Sequence, residues 1–104
     1  MKIIWSPLAI ERAYEIATYI AQDRPEAALK WLDGLFQCTD RLERFPQSGR
    51  MVPEIDSSEY REIIFRRAYR VIYRIERSTV AILTVRNCAE ELDRTEIDKP
   101  ELAG

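Results

Sequence analysis

The stretch Tyr60-Arg61-Glu62-Ile63-Ile64-Phe65-Arg66-Arg67-Ala68-Tyr69-Arg70-Val71-Ile72-Tyr73-Arg74-Ile75 decides the fold, because arginines recur inside a run of aromatic and β-branched residues. Successive side chains of a strand point to opposite faces. Tyr69, Val71, Tyr73 and Ile75 therefore share one face, and Arg70, Ile72 and Arg74 the other. The expected product is a sheet with one apolar face and one face studded with guanidinium groups.

Downstream, Thr79 to Arg86 repeats the strand pattern. Arg66-Arg67-Ala68 and Arg77-Ser78 are short enough to be hairpin turns, so strands at about 60–65, 69–76 and 79–86 form an antiparallel meander. Upstream, Phe45 to about Ser58 reads as a polar loop, since Pro46, Gly49 and Pro53 do not suit a regular element.

Lys2 to Trp5 is a short strand candidate, closed by Ser6-Pro7. Serine as N-cap followed by proline starts a helix, because the hydroxyl accepts an orphan amide and proline has none to lose. Ala9, Ala13, Ile16 and Ile20 then recur at helical spacing to about Gln22. Asp23 and Glu26 restart the chain with a capping-box-like spacing. A second helix places Ala28, Trp31, Leu32, Leu35, Thr39 and Leu42 on one stripe, ending near Arg44. The short connection makes the two helices an antiparallel hairpin.

The order is thus β-α-α-β-β-β, an α+β fold with the helical hairpin laid on the apolar face of the sheet. Trp5 and Trp31 fall on apolar stripes and read as core. The other face, bearing Arg61, Arg70 and Arg74, is expected to be open. Strict alternation then turns Glu62 toward the helices, where a buried carboxylate needs a partner: an arginine at the sheet edge, or a bulge that shifts the register.

A chain of 104 residues suits one domain with a modest core. Its net charge of −2 conceals a local asymmetry. Six arginines oppose only Glu62 and Glu76 between positions 61 and 77, whereas Glu90, Glu91, Asp93, Glu96, Asp98 and Glu101 oppose only Arg94 and Lys99 in the tail. The acidic tail is expected to fray from about 95, although a short helix after Asn87 fits the pattern. Histidine is absent, which removes serine–histidine and cysteine–histidine nucleophile systems. Cys38 and Cys88 lack CxxC spacing and read as buried thiols of a cytoplasmic protein. No metal site, cofactor, signal peptide or membrane span is expected.

The sheet-face arginines admit two readings. They form a preorganised surface for phosphates or an acidic protein segment, or they are solvated and paired with Glu62, Glu76 and the acidic tail.

Several segments together resemble the ParE/RelE superfamily of bacterial toxins, in its ParE-like branch: Trp5-Ser6-Pro7, Tyr19-Ile20-Ala21, Phe45-Pro46 with Gly49-Arg50 and Val52-Pro53-Glu54, Tyr60-Arg61-Glu62-Ile63, and Tyr69 to Ile75. The resemblance implies the toxin half of a type II toxin–antitoxin module associated with plasmid stabilisation. It implies inhibition of DNA gyrase by binding, a ParD-like antitoxin as partner, operator DNA contacted only through that antitoxin, and a toxin homodimer within the hetero-oligomer. The target-binding candidates are Arg61, Arg70, Arg74, Arg86 and Asn87, with no catalytic residue. The RelE branch instead cleaves messenger RNA on the ribosome. Arg61 and Arg70 match basic positions of that branch, but Ile63 stands where another is expected. Val85-Arg86-Asn87-Cys88-Ala89-Glu90 also lacks its basic run and later tyrosine. These departures point away from an endoribonuclease, which the resemblance keeps as the alternative to the gyrase-binding toxin. Because many ParE-like members carry histidine and arginines near Asn87 and Cys88, they also point to a weak, divergent or non-toxic member that binds its antitoxin.

Overall fold

A computed structural model describes residues 1–98. The chain runs β1 (Lys2–Trp5), α1 (Pro7–Ala21), α2 (Pro25–Asp40), β2 (Arg50–Met51), β3 (Tyr60–Phe65), β4 (Tyr69–Ile75), β5 (Thr79–Asn87) and α3 (Thr95–Asp98), with short 3₁₀ turns at Arg41–Glu43 and Pro46–Ser48. The α+β class, the helical hairpin and the β3–β5 meander are as expected. A two-residue edge strand, β2, is added inside the presumed loop. The sheet order is β1-β5-β4-β3-β2, with β1 parallel to β5 and the remaining pairs antiparallel.

Ser6 starts α1 as anticipated. Its buried hydroxyl accepts from the Ala9 amide at 3.0 Å and donates to the Leu83 carbonyl at 2.9 Å, so one side chain caps the helix and ties it to β5. The α1 stripe is Ala9, Ala13 and Ala17, with Ile16 and Ile20 packed beside it. Alanines let the helix lie close to its neighbours. At α2 the cap differs from expectation: Arg24 occupies the N-cap without a side-chain bond. The apolar stripe there is the expected one, since Ala28, Trp31, Leu35 and Thr39 are buried. Trp31 meets Phe65 and Tyr69 edge-on, with ring centroids 5.7 and 5.1 Å apart. Trp5 is only partly buried, against Phe36 at 4.9 Å.

The pairing Arg61↔Tyr73, Ile63↔Val71 and Phe65↔Tyr69 puts these residues on the helix-covered face. Tyr60, Glu62 and Ile64 therefore turn the other way, and this reverses the expected orientation of β3. Arg61 does not share a face with Arg70, and Glu62 does. A bulge near Ile72/Tyr73 shifts the β4–β5 register, leaving Leu83 between Ile82 and Thr84 without a partner of its own. That extra residue sets Leu83 and Thr84 both on the face away from the helices.

That face is not open. Val52, Ile72, Ala81, Leu83 and Ile97 form a second small core, flanked by Ile55, Tyr60 and Leu92. The segment leading to α3 crosses the sheet, and the tail does not fray at 95: Glu96 and Ile97 are buried. The rest of the acidic tail, from 99 on, lies outside the described residues. Cys88 is exposed and Cys38 half-buried, correcting the expectation of two buried thiols. Burial pushes the Cys38 thiol up to about 11.

Candidate functional site

Of the five target-binding candidates, the structure gathers three. Arg70 and Arg74 alternate along β4 on the face away from the helices, and Arg86 of β5 stands directly opposite Arg70. Arg61 lies on the helix side, where its guanidinium donates to the carbonyls of Ser58, Gln47 and Gly49 at 3.2, 3.3 and 3.0 Å. It ties the loop before β2 to the segment that enters β3. Asn87 also faces the helix side, opposite Tyr69, and its side-chain oxygen accepts from the Ala89 amide at 2.8 Å.

Two arginines opposite each other across a ladder repel unless charge is supplied between them. Three carboxylates supply it, of which Glu62 and Glu96 are buried and Glu54 is exposed. Glu62, with no exposed side-chain surface, accepts from Arg70 Nε at 2.7 Å and from Arg50 Nε at 2.6 Å. Glu54 clasps the end of the same Arg70 guanidinium through both oxygens, at 2.7 and 2.9 Å. On the other side, Glu96 accepts from Arg86 at 2.6 Å, Arg12 at 2.8 Å and the Thr84 hydroxyl at 2.6 Å. Arg12 reaches this carboxylate from α1 because β1 ends opposite Ile82, leaving no strand beside the far half of β5. Arg74 lies over the Tyr60 ring at 5.9 Å and donates to Glu76 at 3.0 Å through Nε.

The electrostatics follow from these contacts. The hydrogen bond from Arg70 holds the Glu54 carboxyl below its ordinary value against a smaller opposing effect of burial. For Glu96, burial alone pushes upward. The bonds from Arg12 and Thr84 and the charge of Arg86 outweigh it, and the carboxyl sits below its ordinary value. The guanidiniums of Arg12 and Arg70 are correspondingly harder to deprotonate, because Glu96 and Glu54 bond them.

Arg70, Arg74 and Arg86 thus already donate to carboxylates of this chain, so an outside anion at that face meets arginines whose charge is largely balanced from within. The reading in which the arginines are paired with Glu62, Glu76 and the tail describes the geometry. The sequence reading missed Arg12, Arg50 and Glu54. Their one sequence signal is that two facing arginines require compensating acids nearby. Among the described residues no cluster of metal-binding side chains occurs, and no helix is long and apolar enough to cross a membrane.

A helical hairpin on a meander, with arginines of β4 and β5 neutralised by acids from β3 and the C-terminal turn, defines a small α+β protein whose sheet is braced by charge. Residues 3–92 match the model of a family described as ParE toxin of the type II toxin-antitoxin system, parDE. The chain belongs to this ParE toxin family. It is 33% identical over 90 residues, 86% of this chain and 91% of the relative, to a Sinorhizobium fredii (strain NBRC 101917 / NGR234) protein named "Putative toxin Y4kP". The fold is similar to a solved structure titled "Chromosomal ParDE TA system from P. aeruginosa", with a TM-score of 0.72 and 19% identity over 84% of this chain and 95% of that one.

Proposed function

We propose that this toxin acts by binding DNA gyrase and is neutralised by a ParD-like antitoxin. The carrying observation is the engagement of Arg70, Arg74 and Arg86 by carboxylates of the chain itself. In a chain without histidine, that engagement leaves the candidate arginines of the sheet poorly disposed for the proton transfers of RNA cleavage. A binding mechanism requires no such transfers. Arg61, Arg70, Arg74, Arg86 and Asn87 enter this reading as residues that shape the target-binding surface, Arg61 and Asn87 through the backbone they hold.

The antitoxin fits the helical hairpin, which exposes Ile10 and Tyr14 one turn apart on α1, and Tyr19 and Leu29 on either side of the α1–α2 connection. Exposed apolar side chains at helical spacing suit an amphipathic partner helix, and an obligate complex of this kind buries on the order of 2,000 Å² or more. Operator DNA is then contacted through the antitoxin, and the module acts in the cytoplasm.

Purified toxin is expected to inhibit gyrase supercoiling while leaving messenger RNA intact on programmed ribosomes. Codon-specific cleavage would establish the ribosome-dependent endoribonuclease instead. Neither effect, together with stable antitoxin binding, would identify a non-toxic member. Failure to capture an antitoxin encoded alongside it at micromolar concentration would refute the module reading.

A further inference from the structure

The β3–β4 hairpin turns through Phe65–Ala68 and is closed by a hydrogen bond from the Ala68 amide to the Phe65 carbonyl at 3.2 Å. Both central residues are arginines in left-handed backbone, with φ of 51° at Arg66 and 61° at Arg67. Among the described residues no other non-glycine has positive φ. Two consecutive positive φ angles are the pattern of a type I′ turn, where Asn-Gly and its relatives predominate because a Cβ crowds the neighbouring carbonyl.

Arg66 has an internal use. Its guanidinium lies over the Phe65 ring at 5.1 Å and donates to the Lys30 carbonyl of α2 at 3.4 Å. Gly34 makes room for it, since a Cβ there would stand 3.1 Å from Arg66 Nη2. Arg67 has no comparable use. It is exposed and makes no hydrogen bond, ion pair or ring contact with any described residue. Backbone strain of this kind persists where the surrounding structure enforces it, and it clusters at functional positions. Here the turn is clamped: Tyr69 packs on Trp31, and the Cys88 amide donates to the Ala68 carbonyl at 2.7 Å.

We propose that Arg67, on a turn anchored by Arg66, is a contact point with a preset backbone for an acidic segment of a protein partner. A guanidinium grips a carboxylate through two parallel hydrogen bonds, and the clamped turn fixes the backbone that carries it, so that binding has only the side chain left to order. A nucleic acid is the poorer match. Binding to a phosphate backbone is built from many phosphate contacts, roughly 6–10 in strongly salt-dependent cases. On the sheet face, Arg50, Arg70, Arg74 and Arg86 are committed to internal carboxylates.

Replacing Arg67 with Gly removes the charge and the Cβ while keeping positive φ accessible. The melting temperature is expected to rise by about 4 °C, and growth arrest on induction to be lost. Arg67→Lys keeps the charge and retains part of the arrest. Titration of the ¹⁵N-labelled protein with a hexaglutamate peptide is expected to shift the amides of residues 66–68 in the wild type and not in the Gly variant. Unchanged growth arrest or unchanged peptide shifts in the Gly variant would overturn the proposal. A lowered melting temperature would do so too, by making Arg67 structural. A short DNA duplex that shifts the same amides at lower concentration than hexaglutamate would assign the turn to nucleic acid instead. The growth-arrest arm rests on the toxin reading. A wild-type chain that arrests no growth defeats that reading, and the melting and peptide arms still decide this one.

Discussion

Replacing Arg70 with Ala tests whether the sheet arginines are braces or free ligands. The Arg70 side chain is 8% exposed, and removing it leaves Glu62, whose side chain is fully buried, with Arg50 alone as its ion-pair partner. Arg50 is 59% exposed and water competes for it. Stranding a buried charge in this way costs roughly 3–5 kcal/mol, a large part of the roughly 5–15 kcal/mol that stabilises an ordinary domain. At about 4–8 °C per kcal/mol for a chain near this size, the melting temperature falls by roughly 12–40 °C. Glu54 provides the contrast on the same guanidinium. It is 41% exposed, so Glu54→Ala forfeits a surface ion pair worth at most about 1 kcal/mol.

Thermal and denaturant melts of both variants measure the difference directly. The double variant Arg70→Met/Glu62→Leu sharpens it, because exchanging a buried ion pair for apolar side chains of similar size is often neutral or stabilising. A shift below about 4 °C for Arg70→Ala, equivalent to roughly 1 kcal/mol, would refute the buried-pair account and restore Arg70 as a freely solvated ligand. Growth arrest by this variant must be scaled to soluble protein, since a toxin that no longer folds is harmless for reasons unrelated to its target.

Three further outcomes are expected. Gly49→Ala places a Cβ 2.5 Å from the Tyr73 hydroxyl and 2.7 Å from the Glu62 carbonyl; it should cost roughly 1–3 kcal/mol by overpacking, and Tyr73→Phe should recover part of that cost in a double-variant melt. Ser6→Ala removes the α1 cap and the donor to Leu83 together, so chemical denaturation should show a loss of roughly 1–2 kcal/mol. The folded-state value of Glu96 is depressed, so its contribution is complete above the unfolded value of about 4.3 and disappears as pH falls through the lower folded value. Melts below pH 5 should therefore show Glu96→Gln to be less acid-sensitive than the wild type, and parallel pH curves for the two proteins would contradict this.

Much of the fold is legible because periodicity and helix-start chemistry are local. Ser6-Pro7, the Ala28–Leu35 stripe and the alternation of Tyr69 to Ile75 each depend on neighbours a few residues away. The candidate site was less legible because β3 contains a run, Ile63-Ile64-Phe65, that fits either orientation. Assigning Arg61 outward by its charge sent Glu62 inward. The structure resolves the choice the other way, since Arg61 can satisfy its guanidinium with three loop carbonyls at the edge of the helix side, whereas Glu62 finds two arginines only on the opposite face. Alternation fails again at Leu83 and Thr84, where the bulge puts two successive residues on one face, one for the second core and one for Glu96.

The C-terminal segment departs from its expected course for a related reason. A run of acids reads as a solvated tail, yet Leu92 and Ile97 are apolar and the covered face of β4 and β5 offers Ile72, Ala81 and Leu83. Ile97 is 1% exposed, and it brings the adjacent Glu96 onto Arg86 and Arg12. Register links these facts. Once Arg70 and Arg86 stand opposite each other, their repulsion must be relieved from both sides, by an acid on β3 and by one on a segment crossing β5. The acids of the tail therefore belong to the same electrostatic unit as the arginines of the sheet, and this unit leaves Arg67, at the hairpin tip, with its guanidinium uncommitted to any described residue.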